Sequence, residues 1–275
     1  MAILSLNETT TFRWSFEDDV ANYSAAGIEA IGVWRQKLSD YGQDRALKLI
    51  RQHHLKVSHL FWAGGFTGSE GHSYRESVED TADALRTAAA LGTGCLVVCS
   101  GARAGHTFNH ARRLVQEAIK ELVPLAEEYG VVMALEPMHP GCAAQCTFLN
   151  TLDDALGIIQ AIGHPHLKLL LDTYHLGQDP GLVERIPEIV SRIALVQLGD
   201  AKHPPLGEQN RCRLGDGVVP LRQIVCALRR AGYDGFFDVE LWGEDIEVLD
   251  YRALVAHAKE AYADLMAPTL ERGPC

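Results

Sequence analysis

Apolar and polar positions alternate along this chain in blocks: a run of four to seven mostly apolar residues, an amphipathic stretch, then another run. Eight runs follow one another: ILSL at 3–6, IEAIGVW at 28–34, KVSHLFW at 56–62, CLVVCS at 95–100, VVMALE at 131–136, LKLLLD at 167–172, IALVQL at 193–198 and FFDVEL at 236–241. Between them lie stretches with apolar residues at helical spacing: DRALKLIRQHH, ESVEDTADALRTAAALG, HARRLVQEAIKELVPLAEEYG, TLDDALGIIQAIG, LRQIVCALRRAG and YRALVAHAKEAYADLM. Punctuation agrees with the pattern. Thr107 precedes one helix and Gly130 closes it, Asn150 and Thr151 offer caps to TLDDALGIIQAIG, and Gly232 closes LRQIVCALRRAG.

Strand and helix alternating eight times within 275 residues predict an α/β fold, a single (β/α)8 TIM barrel domain spanning 1–275. A doubly wound open sheet would carry a glycine fingerprint after its first strand, where this chain reads NETTTFRW. No linker, repeat or low-complexity tract divides the sequence, and only APTLERGPC reads as a loose tail.

A barrel gives meaning to the residues that close its last four strands, Glu136, Asp172, Gln197 and Glu240, because strand ends converge at the C-terminal mouth where such barrels hold their active sites. A single acid at a strand end is ordinarily a helix cap or an ion-pair partner. Oxygen donors on consecutive strands at one height are not explained by capping alone. Three carboxylates and an amide carbonyl suit one hard divalent cation, Mn²⁺ or Mg²⁺ before others. Strand alternation adds that Asp238 faces inward if Glu240 does, and Lys168 if Asp172 does. Buried charges need partners, so Asp238 and Lys168 are expected to be paired or separately hydrogen-bonded inside the barrel.

Composition narrows the partners. A hydrophobic content of 47% supports a large core, and a formal net charge of −11 argues against nucleic acid, whose binding needs a basic surface. No apolar stretch approaches the ~18 residues that cross a bilayer, and MAILSLNETTTFRW lacks the regions of a signal peptide, so a cytoplasmic protein without membrane partners is expected. Of seven cysteines, Cys95, Cys99 and Cys226 lie in apolar patterns where a free thiol acts as a small hydrophobe. Cys142 and Cys146 are expected as unpaired loop thiols, since nothing completes a zinc half-site around them.

The segments ALEPMHP, LLLDTYHLG, LVQLGDAKHP, NRCRLGDGVVPL and GYDGFFDVELWG together resemble the xylose isomerase-like TIM barrels, a superfamily of sugar and sugar phosphate isomerases and epimerases that also includes endonuclease IV. The resemblance is strongest over residues 130–245 and extends more weakly to GIEAIGVWR. It implies that Glu136, Asp172, Gln197 and Glu240 hold one divalent ion, Mn²⁺ or Mg²⁺ first and Co²⁺ or Zn²⁺ as alternatives. Most epimerases of the family carry His at the seventh-strand position, and Gln197 there resembles the hydroxypyruvate isomerase and dehydroshikimate dehydratase branches. His175 matches the family's histidine after the sixth-strand aspartate, and Arg211 or Arg213 its arginine before the glycine turn Gly215-Asp216-Gly217. Endonuclease IV has an Asp-Arg-His triplet where this chain has Asn210-Arg211-Cys212, which disfavours a trinuclear DNA-repair site.

The implied chemistry is isomerisation or epimerisation of a small sugar, sugar phosphate or related keto/hydroxy compound through an enediolate. Glu136 and Glu240 are the expected proton-transfer pair. His175, Arg211, Trp34, Trp62, His139 and His203 are the expected substrate contacts, the tryptophans stacking on a sugar face. A metal-dependent dehydratase or lyase on a keto-sugar, keto-cyclitol or dehydroshikimate-like substrate is the alternative, and a non-catalytic ligand-binding barrel the second. The family also implies a homodimer or homotetramer.

Overall fold

The computed structural model describes residues 2–69, 71–143 and 145–267. Most of the proposed tail lies outside them. Each of the eight runs forms a strand: β1 (Ile3–Asn7), β2 (Ala30–Trp34), β3 (Lys56–Gly64), β4 (Cys95–Cys99), β5 (Val132–Leu135), β6 (Leu167–Asp172), β7 (Ile193–Leu198) and β8 (Phe236–Val239). All neighbours pair in parallel, and β1 closes on β8, giving an eight-stranded TIM barrel in sequence order. Parallel strands buried on both faces explain why the sequence shows continuous apolar runs instead of strict alternation.

Helices Tyr74–Leu91, Phe108–Tyr129 and Leu152–Ile162 begin on Ser73, Thr107 and Thr151, whose hydroxyls accept from the N–H of the third helical residue, and end on left-handed Gly92, Gly130 and Gly163. Helices Gln43–Gln52, Leu221–Arg230 and Tyr251–Met266 supply three more. Among the helices that escape the periodicity are Phe16–Ala25, entered through a capping box between Ser15 and Asp18, Arg35–Tyr41, and Leu182–Ile189, which contains Pro187.

Outward-facing residues such as Leu6, Ile31, Val98, Leu135, Leu171 and Val239 bury against this helical layer. Inside the barrel the lining is divided. Val97, Ala134, Leu170 and Leu195 form an apolar plug beside Phe61 and Cys95. The opposite wall is polar: Ser5 Oγ lies 2.7 Å from Ser58 Oγ, Ser58 Oγ 2.9 Å from His59 Nδ1, and Asn7 donates to Asp238 at 3.2 Å. Burial lowers the His59 pKa to about 3 and raises that of Asp238 to about 7.

Asp238 therefore shares the inward face with Glu240, as strand alternation requires. Lys168 differs from expectation. It sits at the far end of β6, is only half-buried and forms no ion pair with a described residue, because that end of the barrel is open enough for a long side chain to reach water. Cys95 and Cys142 are free thiols. Cys226 is instead disulfide-bonded, which corrects its reading as a free apolar thiol.

Candidate metal centre and active-site pocket

Strand register sets the donors side by side. β5 and β8 end one residue before Glu136 and Glu240, whose N–H groups still donate to Val98 O and Leu198 O at 3.1 Å. Asp172 pairs in register with Gln197, and Gln197 with Asp238. All four side chains, Glu136, Asp172, Gln197 and Glu240, are buried at the C-terminal mouth.

Asp172 does two things at once. Its Oδ1 accepts the Tyr174 N–H at 2.7 Å, capping the short helix Thr173–Leu176, and that turn swings His175 back over the mouth. One ligand atom each from Glu136, Asp172 and His175 then lie within 4.8 Å of one another. His175 Nε2 stands 4.0 Å from Glu136 and 3.9 Å from Asp172, beyond hydrogen-bond reach. Its Nδ1 accepts the His139 backbone N–H at 3.2 Å. In a neutral imidazole that leaves the proton on Nε2, a donor aimed into the site. Burial supports the neutral form by lowering the pKa to about 3.

The counter-charge is Arg211. Its guanidinium grips Asp172 at 2.7 and 3.3 Å, donates to Glu240 O at 3.0 Å, lies 3.3 Å from Glu240 Oε2 and covers the Tyr174 ring at 4.5 Å. Arg213 turns away to pair with Asp216 at the surface, so Arg211 is the arginine that faces the site.

One guanidinium does not neutralise three carboxylates. Burial, then the charges of Glu240 and Asp172, push the Glu136 pKa well up, and burial raises Glu240 to about 8 despite Arg211. Both amide atoms of Gln197, Glu240 Oε2 and His175 Nε2 are buried without a hydrogen-bond partner. Carboxylates crowded to the point of protonation, beside an amide oxygen with nothing to accept, fit a site for a divalent cation. A consequence concerns pH. Glu240, with its folded pKa raised, stabilises the metal-free protein below about pH 4.5, its unfolded value, and that stability is lost as pH rises through about 8. Thermal melts of chelator-treated protein should therefore fall between these pH values, and Mn²⁺ should restore most at the alkaline end.

Above the donors lies a pocket of ≈ 590 Å³ including its open mouth, lined by Glu136, His175, Arg211 and Glu240 below and by Trp34 and Trp62 at the side. The β3–β4 strand ends approach closely there, since a Cβ on Gly64 would lie 2.0 Å from Cys99 O. His139 acts from behind His175 and does not line the pocket. His203 is exposed on the loop after β7 and does not line it either.

Sequence reasoning missed Phe12, Gln209 and Trp242, which also line the pocket. Trp242 follows Glu240 by two residues, and parity was its available signal. Phe12 and Gln209 lie on loops without periodicity. Phe12 is carried on the turn Glu8–Thr11, which Lys37 holds by donating to Glu8 O at 3.1 Å, Thr11 O at 3.0 Å and Asp19 at 2.6 Å.

Residues 19–267 match the family model described as Xylose isomerase-like TIM barrel. The chain belongs to this family. Among its curated relatives, an inosose isomerase of Bacillus velezensis is 27% identical over 94% of each chain. A D-psicose 3-epimerase of Enterocloster bolteae is 28% identical over 52% of this chain and 49% of its own. A crystal structure of a protein from Sinorhizobium meliloti 1021 superposes with a TM-score of 0.88 at 30% identity, covering 95% of this chain and 98% of that one. The IOLI protein, solved with a bound zinc atom, superposes at 0.83 with 23% identity over 96% and 97% of the two chains, a likeness of fold. No helix among the described residues is long and apolar enough to cross a membrane.

Proposed function

We propose that this family member is a divalent-metal-dependent isomerase or epimerase of a small sugar, sugar phosphate or related keto/hydroxy compound. The observation that carries this reading is the convergence of Glu136, Asp172 and Glu240 beside the unpartnered Gln197 amide at the mouth of the barrel. Family relatives named as sugar and inosose isomerases and epimerases support it. Glu136, Asp172, Gln197 and Glu240 would hold the ion. Oxygen donors favour Mn²⁺ or Mg²⁺, with Co²⁺ and the zinc of the IOLI protein as alternatives. When bound, the ion supplies Lewis-acid polarisation of a carbonyl and its neighbouring hydroxyl.

The remaining work falls to side chains. Glu136 and Glu240 remove and return the proton on carbon next to the carbonyl. His175 donates its Nε2 proton to a substrate oxygen. Arg211 holds Asp172 and Glu240 in place and offsets negative charge as it develops. Trp34 and Trp62 cover the reacting face and exclude water.

Mass spectrometry of a keto-sugar and keto-cyclitol panel with Mn²⁺ tests the proposal. An isomer of unchanged mass supports it, and a product lighter by water would replace it with a dehydratase. Metal analysis belongs beside it: at an Mn²⁺ concentration of about 100 times Kd, a metal site raises stability by about 2.7 kcal/mol. A chain without bound metal and without a thermal shift would instead be a non-catalytic barrel.

A further inference from the structure

From the pocket's charge and shape we infer that its substrate is an uncharged polyhydroxy ketone or aldehyde with an apolar ring face, and carries no phosphate or carboxylate. This rests on the isomerase or epimerase reading and narrows its substrate class.

Phosphate recognition needs a free cation or a cradle of free backbone N–H groups. Among the described residues that line the pocket, neither is open. Arg211, the guanidinium in the pocket wall, is already committed to Asp172 and Glu240. Around the rim, Arg35 forms a two-pronged pair with Asp80 at 2.7 Å, and Lys202 reaches Asp245 at 2.8 Å. Arg103 is exposed on the loop after β4 and does not line the pocket.

Barrels of this kind often take phosphate on the loops after β7 and β8 and the start of a short extra helix. In this chain those donors are filled from within. Asp200, just past β7, accepts the N–H groups of Gly215 at 2.9 Å and Gly217 at 3.1 Å on one oxygen, and those of Ala201 at 2.8 Å and Val219 at 3.2 Å on the other. A Cβ on Gly217 would lie 2.1 Å from Asp200 Oδ1, so the carboxylate fills the cradle. After β8, the short helix Glu244–Glu247 opens with Glu244, Asp245 and Glu247, and Asn210 Oδ1 accepts the Asp245 N–H at 3.1 Å. Three acids there repel an anion.

What the pocket offers instead is aromatic surface. Phe12 and Trp34 lie with ring centroids 5.6 Å apart, Phe61 and Trp62 at 6.4 Å, and Gln209 fixes Trp242 through its indole N–H at 3.1 Å. Such walls suit the C–H face of a ring whose hydroxyls reach His175, Thr9 and Gln209.

The test is calorimetric titration of the Mn²⁺-loaded chain with matched pairs, fructose and ribulose against their terminal phosphate esters, and with an inosose as the cyclic neutral ketone. Turnover of each is followed in parallel. The neutral members are expected to bind at least about tenfold tighter than the esters, with affinity insensitive to added salt. Trp62→Ala and Trp242→Ala should each weaken them by up to about tenfold. An ester that binds as well as its neutral partner, or a pocket that binds neither, overturns the inference. Neutral ligands that bind without conversion leave it standing and sink the isomerase reading.

Discussion

Glu240→Gln is expected to lower kcat by about three orders of magnitude while the protein stays folded. The amide preserves the shape of the side chain but removes a charged donor proposed for the ion and one of the two proposed proton carriers. The fold has little reason to object. Arg211 bonds to the Glu240 backbone carbonyl at 3.0 Å, which the substitution leaves in place, an amide oxygen at the Oε2 position keeps a contact with the guanidinium 3.3 Å away, and Thr9 Oγ1 makes only a long contact of 3.5 Å to the side chain. Glu240 is also the largest charge contribution raising the Glu136 pKa. The amide also needs no proton on folding, whereas burial raises the Glu240 carboxyl to about 8, so the substitution should raise the melting temperature of the metal-free protein near neutral pH, even as activity disappears. Kinetics and thermal melts on the same preparation separate the two effects. Activity within about tenfold of the parent would remove Glu240 from the mechanism.

Much of this centre was legible in the chain because parallel strands buried on both faces read as apolar runs, and a polar residue ending such a run stands out. Glu136, Asp172, Gln197 and Glu240 were singled out as candidates in that way, and the register Asp172–Gln197–Asp238 follows from the barrel itself. Helices Phe16–Ala25 and Leu182–Ile189 were not legible. The first has an acidic opening turn with few apolar residues, and only its Ser15–Asp18 box marked it, while Pro187 disguised the second. Lys168 shows the limit of parity: alternation says which way a side chain leaves the strand, not how far it is from solvent. The choice between Arg211 and Arg213 was tertiary as well. Two arginines one residue apart differ only in which acid the loop brings within reach, Asp172 for one and Asp216 for the other.

Arg211→Met should destabilise the metal-free protein by about 3–5 kcal/mol at pH 8, because it strands Asp172 and Glu240 without their buried cation. In a chain of 275 residues this corresponds to a melting temperature lower by roughly 10 °C. Methionine fills much of the volume over Tyr174, so the loss is mainly electrostatic. Its pH dependence follows. Near pH 5 the raised acids Glu136 and Glu240 are protonated, the excess negative charge is smaller and the deficit should shrink; as pH rises through about 8 Glu240 ionises and it should grow. Added Mn²⁺ supplies positive charge to the same carboxylates and should recover more stability in the variant than in the parent. Arg211→Lys, which keeps the charge but loses the two-pronged grip on Asp172, should fall between them. Thermal melts at the two pH values with and without Mn²⁺ decide the matter. A deficit equal at both and indifferent to the ion would mean that Arg211 serves by packing alone, and that the three carboxylates do not form one electrostatic unit.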